Sequence, residues 1–145
     1  MLHVITGPPA AGKSSYIRAH AKPADIVIDL DLMALAMAGP GADHHAHGDV
    51  LMKVVHRARF AALNEAYQHL DTTDVYVIHT QPSAKALVKY RRLKARIITV
   101  DPGEAIVMQR IEAMRQPGMR AVATRWYRAR RGKSRSAMPQ ASRQW

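Results

Sequence analysis

The chain has 145 residues and a formal net charge of +11, from 22 Lys+Arg against 11 Asp+Glu, with no cysteine. That length suggests one domain with a real core. The missing cysteines exclude a disulfide framework and thiolate chemistry, and no apolar run approaches the roughly 20 residues that a membrane span needs. The excess of positive charge favours polyanionic partners, either nucleotides or nucleic acid. The opening residues lack the basic start and cleavage site of a secretory signal, so a cytoplasmic location is expected. The charge is uneven: from Arg110 onward Glu112 is the sole acid.

Residues 2–6 form a short apolar run that stops at Gly7-Pro8-Pro9, the pattern of a buried strand and a turn. Residues 13–21 then read as a helix ended by Pro23. Ile26-Val27-Ile28-Asp29 is β-branched and short, a second buried strand. A brief helix is expected over 32–38. Residues 39–48 read as a loop, with Gly, Pro and three histidines. Asp49 is the expected N-cap of a long helix reaching about residue 70. Its apolar stripe is Leu51, Val54, Val55, Ala58, Ala62 and Ala66.

A third strand over 75–78 follows, then a helix over 83–92 capped by Ser83. A fourth strand spans 96–100. Helices are expected over 104–115 and 120–131, with a break at 116–119. Residues 132–145 are basic and weakly patterned and read as a flexible tail. Four apolar strands alternating with helices imply a parallel sheet covered on both faces.

Residues 7–14 read Gly-Pro-Pro-Ala-Ala-Gly-Lys-Ser, a full match to G-x-x-x-x-G-K-[ST]. Glycines and small residues let backbone N–H groups curl around phosphate oxygens. The following helix aims its N-terminus at the same anion. The candidate nucleotide-binding residues are therefore Pro9, Ala10, Ala11, Gly12, Lys13, Ser14 and Ser15. Lys13 would reach the β- and γ-phosphates, and the Ser14 hydroxyl would take Mg²⁺. The loop sits between an expected strand and an expected helix, which is the context the motif requires.

Asp29 and Asp31 end the second strand, where ligands of open parallel sheets bind. One carboxylate can hold Mg²⁺ through a water, and the other can accept the proton of an attacking hydroxyl. Equally, Asp29 can end the strand while Asp31 caps the next helix. Asp43-His44-His45-Ala46-His47 admits a metal site, an acceptor-binding loop or a plain surface loop. Trp126 and Tyr127 lie among Arg125, Arg128, Arg130 and Arg131. That interleaving suits stacking on bases, but helical spacing favours Trp126 in the core with its arginines turned outward.

With the loop at 7–14, the runs Ile28-Asp29-Leu30-Asp31 and Val100-Asp101-Pro102, together with Arg110 and Arg115-Gln116-Pro117-Gly118, resemble the small P-loop kinases. The likeness is nearest to the polynucleotide kinase and zeta-toxin branch, including small phage-encoded members, and covers roughly residues 1–130. It implies a three-layer P-loop NTPase sandwich with a small parallel sheet in the order 2-3-1-4. The kinase-like domain would span 1–131, with a short lid around 110–120 and a basic tail over 132–145. The resemblance implies ATP and Mg²⁺ as cofactors and Asp31 as the residue that activates the acceptor hydroxyl. Asp29 would stand beside the metal with Ser14. Arg110 would lie against adenine or a phosphate, and Arg115 would stabilise charge on the transferring phosphoryl group. The lid requires the helix to end near Met114, which Pro117 and Gly118 favour.

Two departures are evident: no clear fifth strand follows the lid, so the sheet is expected to have only four strands, and strand three ends differently. Where such kinases end strand three in Asp, this chain has His79. The expected activity is transfer of the γ-phosphate of ATP to a nucleotide-type acceptor, a nucleic-acid 5′-hydroxyl or a nucleoside or nucleotide. The alternative is a nucleotide-dependent nucleic-acid-binding accessory protein with weak ATPase activity.

Overall fold

The computed structural model describes residues 1–114, 116 and 118–136. In chain order the elements are β1 (Leu2–Thr6), α1 (Lys13–His20), β2 (Ile26–Ile28), α2 (Leu30–Met37) and α3 (Asp49–Ala66). A 3-10 turn over Tyr67–His69 leads to β3 (Val75–Ile78), α4 (Ala84–Arg92), β4 (Arg96–Thr99), α5 (Glu104–Met114) and α6 (Met119–Ser136). The strands form one all-parallel sheet in the order β2-β3-β1-β4, as expected from the sequence. Val4 pairs with Val77 on one side of β1 and with Ile97 on the other.

Alternation along β1 and β3 divides the core between the two faces of the sheet. Leu2, Val4, Val75 and Val77 meet Leu63 and Ala66 of α3 and Tyr90 of α4 on one face. Ile5 and Tyr76 meet Ile17 of α1 on the other. A third cluster joins α5 and α6 to the loop after β1: Ala11, Val107, Ile111, Ala123, Trp126 and Tyr127. The result is a Rossmann-like α/β sandwich. Among the described residues no helix is long and apolar enough to cross a membrane.

Five local expectations change. The second strand is not buried along its length: β2 is an edge strand, and Ile26 and Val27 are 36% and 38% exposed. The long helix α3 is capped by Gly48, and Asp49 is its first residue, where its charge favours the helix N-terminus. Of the expected stripe on α3, Val54 is 49% exposed and Leu63 is buried in its place. The helix α2 begins at Leu30, so its cap is Asp29 and not Asp31. The last helix does not stop at Arg131 but continues to Ser136. One Gly at position 132 costs about 1 kcal/mol in a helix, which the good formers around it can outweigh.

Trp126 is buried, as helical spacing suggests, and its indole Nε1 donates to the Thr80 carbonyl at 3.0 Å. Next to it the Tyr127 hydroxyl donates to Asp101 Oδ1 at 2.6 Å. Farther along α6, Arg131 pairs with Glu104 at 2.8 Å. These contacts dock α6 on the segment after β3 and on the β4–α5 turn, and so place it behind the site described next.

Candidate active site

The loop 7–12 begins where β1 ends, between the ends of β3 and β4. Gly7 donates its N–H to the Thr80 carbonyl at 3.2 Å. Its φ is +141°, and a Cβ there would collide with the Val100 carbonyl oxygen. Only glycine fits this crossing. Ala10 (φ +59°) and Gly12 (φ +99°) then turn the chain through left-handed conformations into α1. Gly12 caps α1 without a side-chain hydrogen bond, and the first turn of the helix carries no acid. The first intrahelical N–H is that of Tyr16, bonded to the Gly12 carbonyl at 2.9 Å. The backbone donors of Lys13, Ser14 and Ser15 thus remain for a ligand, at the positive end of the helix.

Lys13 folds back over the loop. Its Nζ donates to the carbonyls of Gly7 at 2.9 Å and Pro8 at 2.6 Å. Burial lowers its pKa from 10.5 to about 8, against the opposing pull of Asp31 and Asp29. An ammonium has three N–H donors, so one remains for an anion.

Ser14 and Asp29 meet directly: the Ser14 hydroxyl donates to Asp29 Oδ2 at 3.1 Å. Asp29 is only 4% exposed, and its Oδ1 accepts the Asp31 N–H at 3.0 Å, capping α2. One carboxylate therefore fixes α2 and faces the loop hydroxyl at once. Burial and the neighbouring Asp29 charge push the Asp31 carboxyl above its usual range, while His45, His47 and Lys13 pull it down. A hydroxyl beside a buried carboxylate is the oxygen set that a hard cation such as Mg²⁺ takes, usually with waters completing its octahedron. The residues present fit that ion.

These groups line one cleft of about 710 Å³ at the carboxyl ends of the strands. Pro9, Ala10, Ala11, Gly12, Lys13, Ser14, Ser15, Asp29, Asp31 and Arg110 all border it, so the fold gathers every described residue singled out in the sequence for the site. Arg110 lies against the loop, its Nη1 donating to the Ala10 carbonyl at 3.0 Å. α5 is described as far as Met114. Arg115 and Pro117 lie outside the described residues, as do residues 137–145.

His79 occupies the end of β3 and also borders the cleft. Its Nδ1 shares a hydrogen bond with the Tyr90 hydroxyl at 2.7 Å, and the rings meet edge to face. Burial, and then the charge of Arg59, lower its pKa, so the imidazole is neutral near pH 7. The 39–48 loop is organised by Asp43, whose Oδ1 accepts the N–H groups of His45 at 2.7 Å and Ala46 at 3.0 Å. Among the described residues no group of three or more His, Cys, Asp or Glu is placed to hold a metal ion.

His45 brings to the cleft the 39–48 loop weighed in the sequence as an acceptor-binding loop, whereas the cleft residues His56 and Arg59 escape the motif reading. Arg59 carried a legible signal. It stands in the α3 stripe between Val55 and Leu63, both buried, so a charge interrupts an apolar face. His56 carries no comparable signal, because only the folding of α3 toward β3 brings it to the cleft. No protein-family model matches this chain, and no curated protein sequence matches it significantly.

Proposed function

We propose that this chain is a P-loop NTPase of the kinase type, which transfers the γ-phosphate of ATP to a hydroxyl of a nucleotide-type acceptor. One observation carries the reading: the glycine-turned loop, Lys13, the Ser14–Asp29 pair and Asp31 share a single cleft at the carboxyl ends of the strands. The open backbone donors of α1 and the spare N–H of Lys13 would hold the β- and γ-phosphates. Ser14 would ligate Mg²⁺, with Asp29 reaching it through a water. Bound Mg²⁺ supplies charge neutralisation between the β- and γ-phosphates.

Asp31 takes the acceptor proton as the acceptor oxygen bonds to the γ-phosphorus and the bond to the ADP oxygen breaks. Its raised pKa suits a general base, since it brings the carboxylate nearer the operating pH. Arg110, held on the Ala10 carbonyl, would lie against adenine or a phosphate, and Arg115 would act on the transferring group. His79, being neutral, offers the metal no charge, so the carboxylate role rests on Asp29.

A second reading has its own support. The described part of α6 exposes Arg120, Arg125, Arg128, Arg131 and Lys133. That face suits a nucleotide-dependent nucleic-acid-binding protein with weak ATPase activity.

Incubation with γ-labelled ATP, Mg²⁺ and a panel of acceptors separates the two readings. The panel holds 5′-hydroxyl DNA and RNA, nucleosides, nucleoside monophosphates and amino sugars. Label on an acceptor, lost in Lys13→Ala and Asp31→Asn, is expected. Free phosphate alone, abolished by Lys13→Ala and untouched by Asp31→Asn, would overturn the kinase reading in favour of the second.

A further inference from the structure

Arg59 projects from α3 into the cleft, across from the loop that turns into α1. It is half-buried, and its Nη2 donates to the Ile78 carbonyl at 3.0 Å. That bond anchors the guanidinium at the end of β3 and leaves most of its five N–H donors without acceptors among the described residues. No carboxylate pairs with it among the described residues. Its field is felt nearby: it adds to burial in holding His79 neutral, and it pulls the Tyr67 and Tyr90 hydroxyls down against the upward push of their own burial.

A half-buried guanidinium loses hydration, and in folded proteins a paired anion normally compensates the loss. Here a neutral carbonyl is its only described hydrogen-bond partner. His56 lies three residues earlier on α3, hence on the same face of the helix, and also borders the cleft. His45 enters from the 39–48 loop. The far wall of the cleft thus offers a fixed fork of donors and two imidazoles, and Asp31 borders the same cleft. Planar, pre-oriented N–H donors are what a phosphate group recruits.

We propose that Arg59, flanked by His56 and His45, is a binding site for a phosphate group carried by the acceptor. The acceptor is then a phosphorylated alcohol. Arg59 holds its phosphate, and its free hydroxyl is turned toward Asp31. This assignment of the acceptor rests on the kinase reading; the anion site itself does not.

The test therefore has two arms. In the first, inorganic phosphate is titrated into Lys13→Ala protein without nucleotide, so that the loop site is disabled. Binding is read from the imidazole C–H resonances of His56 and His79. Saturable shifts at both histidines are expected, with at least a tenfold weaker apparent Kd when Arg59→Gln is added. Arg59→Lys, which keeps the charge and loses the fork, should fall between, and thermal melting of each variant identifies any that is unfolded. A folded Arg59→Gln variant that binds phosphate as tightly as its parent, or no shift at either histidine, would overturn the site.

In the second arm, kcat/KM is compared for one acceptor with and without its phosphate. At least a tenfold preference for the phosphorylated form is expected, and Arg59→Gln should abolish it. An active enzyme without that preference would overturn the acceptor assignment. Arg59-dependent phosphate binding in a protein that phosphorylates nothing would uphold the anion site and defeat the kinase reading.

Discussion

Raising the pH should uncouple Lys13 from its ligand. In the free protein burial brings the Lys13 pKa down from 10.5 to about 8. The ammonium is then about 90% charged at pH 7, half charged at pH 8 and about 10% charged at pH 9. Phosphates brought against Nζ favour the charged form and return its pKa to about 10.5 or above. Nucleotide binding must therefore take up protons: about 0.1 at pH 7, 0.5 at pH 8 and 0.9 at pH 9. The same cycle makes affinity about tenfold weaker at pH 9 than at pH 7. Calorimetric titration of ATP–Mg²⁺ in two buffers of different ionisation enthalpy measures the uptake directly. Lys13→Arg is the reference, since a guanidinium stays charged throughout and the nucleotide's own ionisation cancels in the difference. Equal uptake at pH 9 in the two proteins would refute the argument. The sign for folding is opposite. The folded pKa lies below the unfolded one, so between about pH 8 and 10.5 the unfolded chain binds more protons, and the ligand-free protein gains stability from Lys13 as pH rises.

The two loop glycines should fail differently. Gly7→Ala drives a Cβ into the Val100 carbonyl at a positive φ, so urea unfolding should show a loss of about 2–5 kcal/mol. Gly12→Ala has room, its nearest neighbour being Arg110 Nη1 at 3.9 Å. It should cost only about 1–2 kcal/mol of backbone strain and chiefly weaken ATP binding, by fluorescence titration of a labelled nucleotide. Tyr127→Phe removes the 2.6 Å bond to the Asp101 carboxylate that docks α6. A loss of about 1.5–3 kcal/mol and a Tm lower by several degrees should follow in a thermal melt. An unchanged Tm would mean that water replaces the hydroxyl at no cost.

Much of this protein follows from short-range rules, and that part was legible in the order of its residues. The apolar runs at 2–6, 26–28, 75–78 and 96–99 are bounded by turn residues and mark the four parallel strands, but only the central β1 and β3 are buried, because β2 and β4 lie at the sheet edges. Residues 7–14 carry their own geometry, because the glycine spacing fixes where the chain turns and where α1 starts. Ser83 is the cap its position promised, with its hydroxyl accepting the Ala86 N–H.

Features that depend on residues far apart in the chain emerged only from the packed fold. Whether Asp29 or Asp31 capped α2 turned on where the strand stopped, and that left Asp31 free to face the cleft. Both Asp residues share a short segment, so local spacing fits either choice. Val54 and Leu63 exchanged places because the sheet, and not the helix alone, selects the buried face of α3. The same docking set Arg59 and His56 against the end of β3, and it paired His79 with Tyr90 eleven residues on. A charge inside an apolar stripe is visible in sequence, but its partner, or the lack of one, exists only once the distant elements have closed around it.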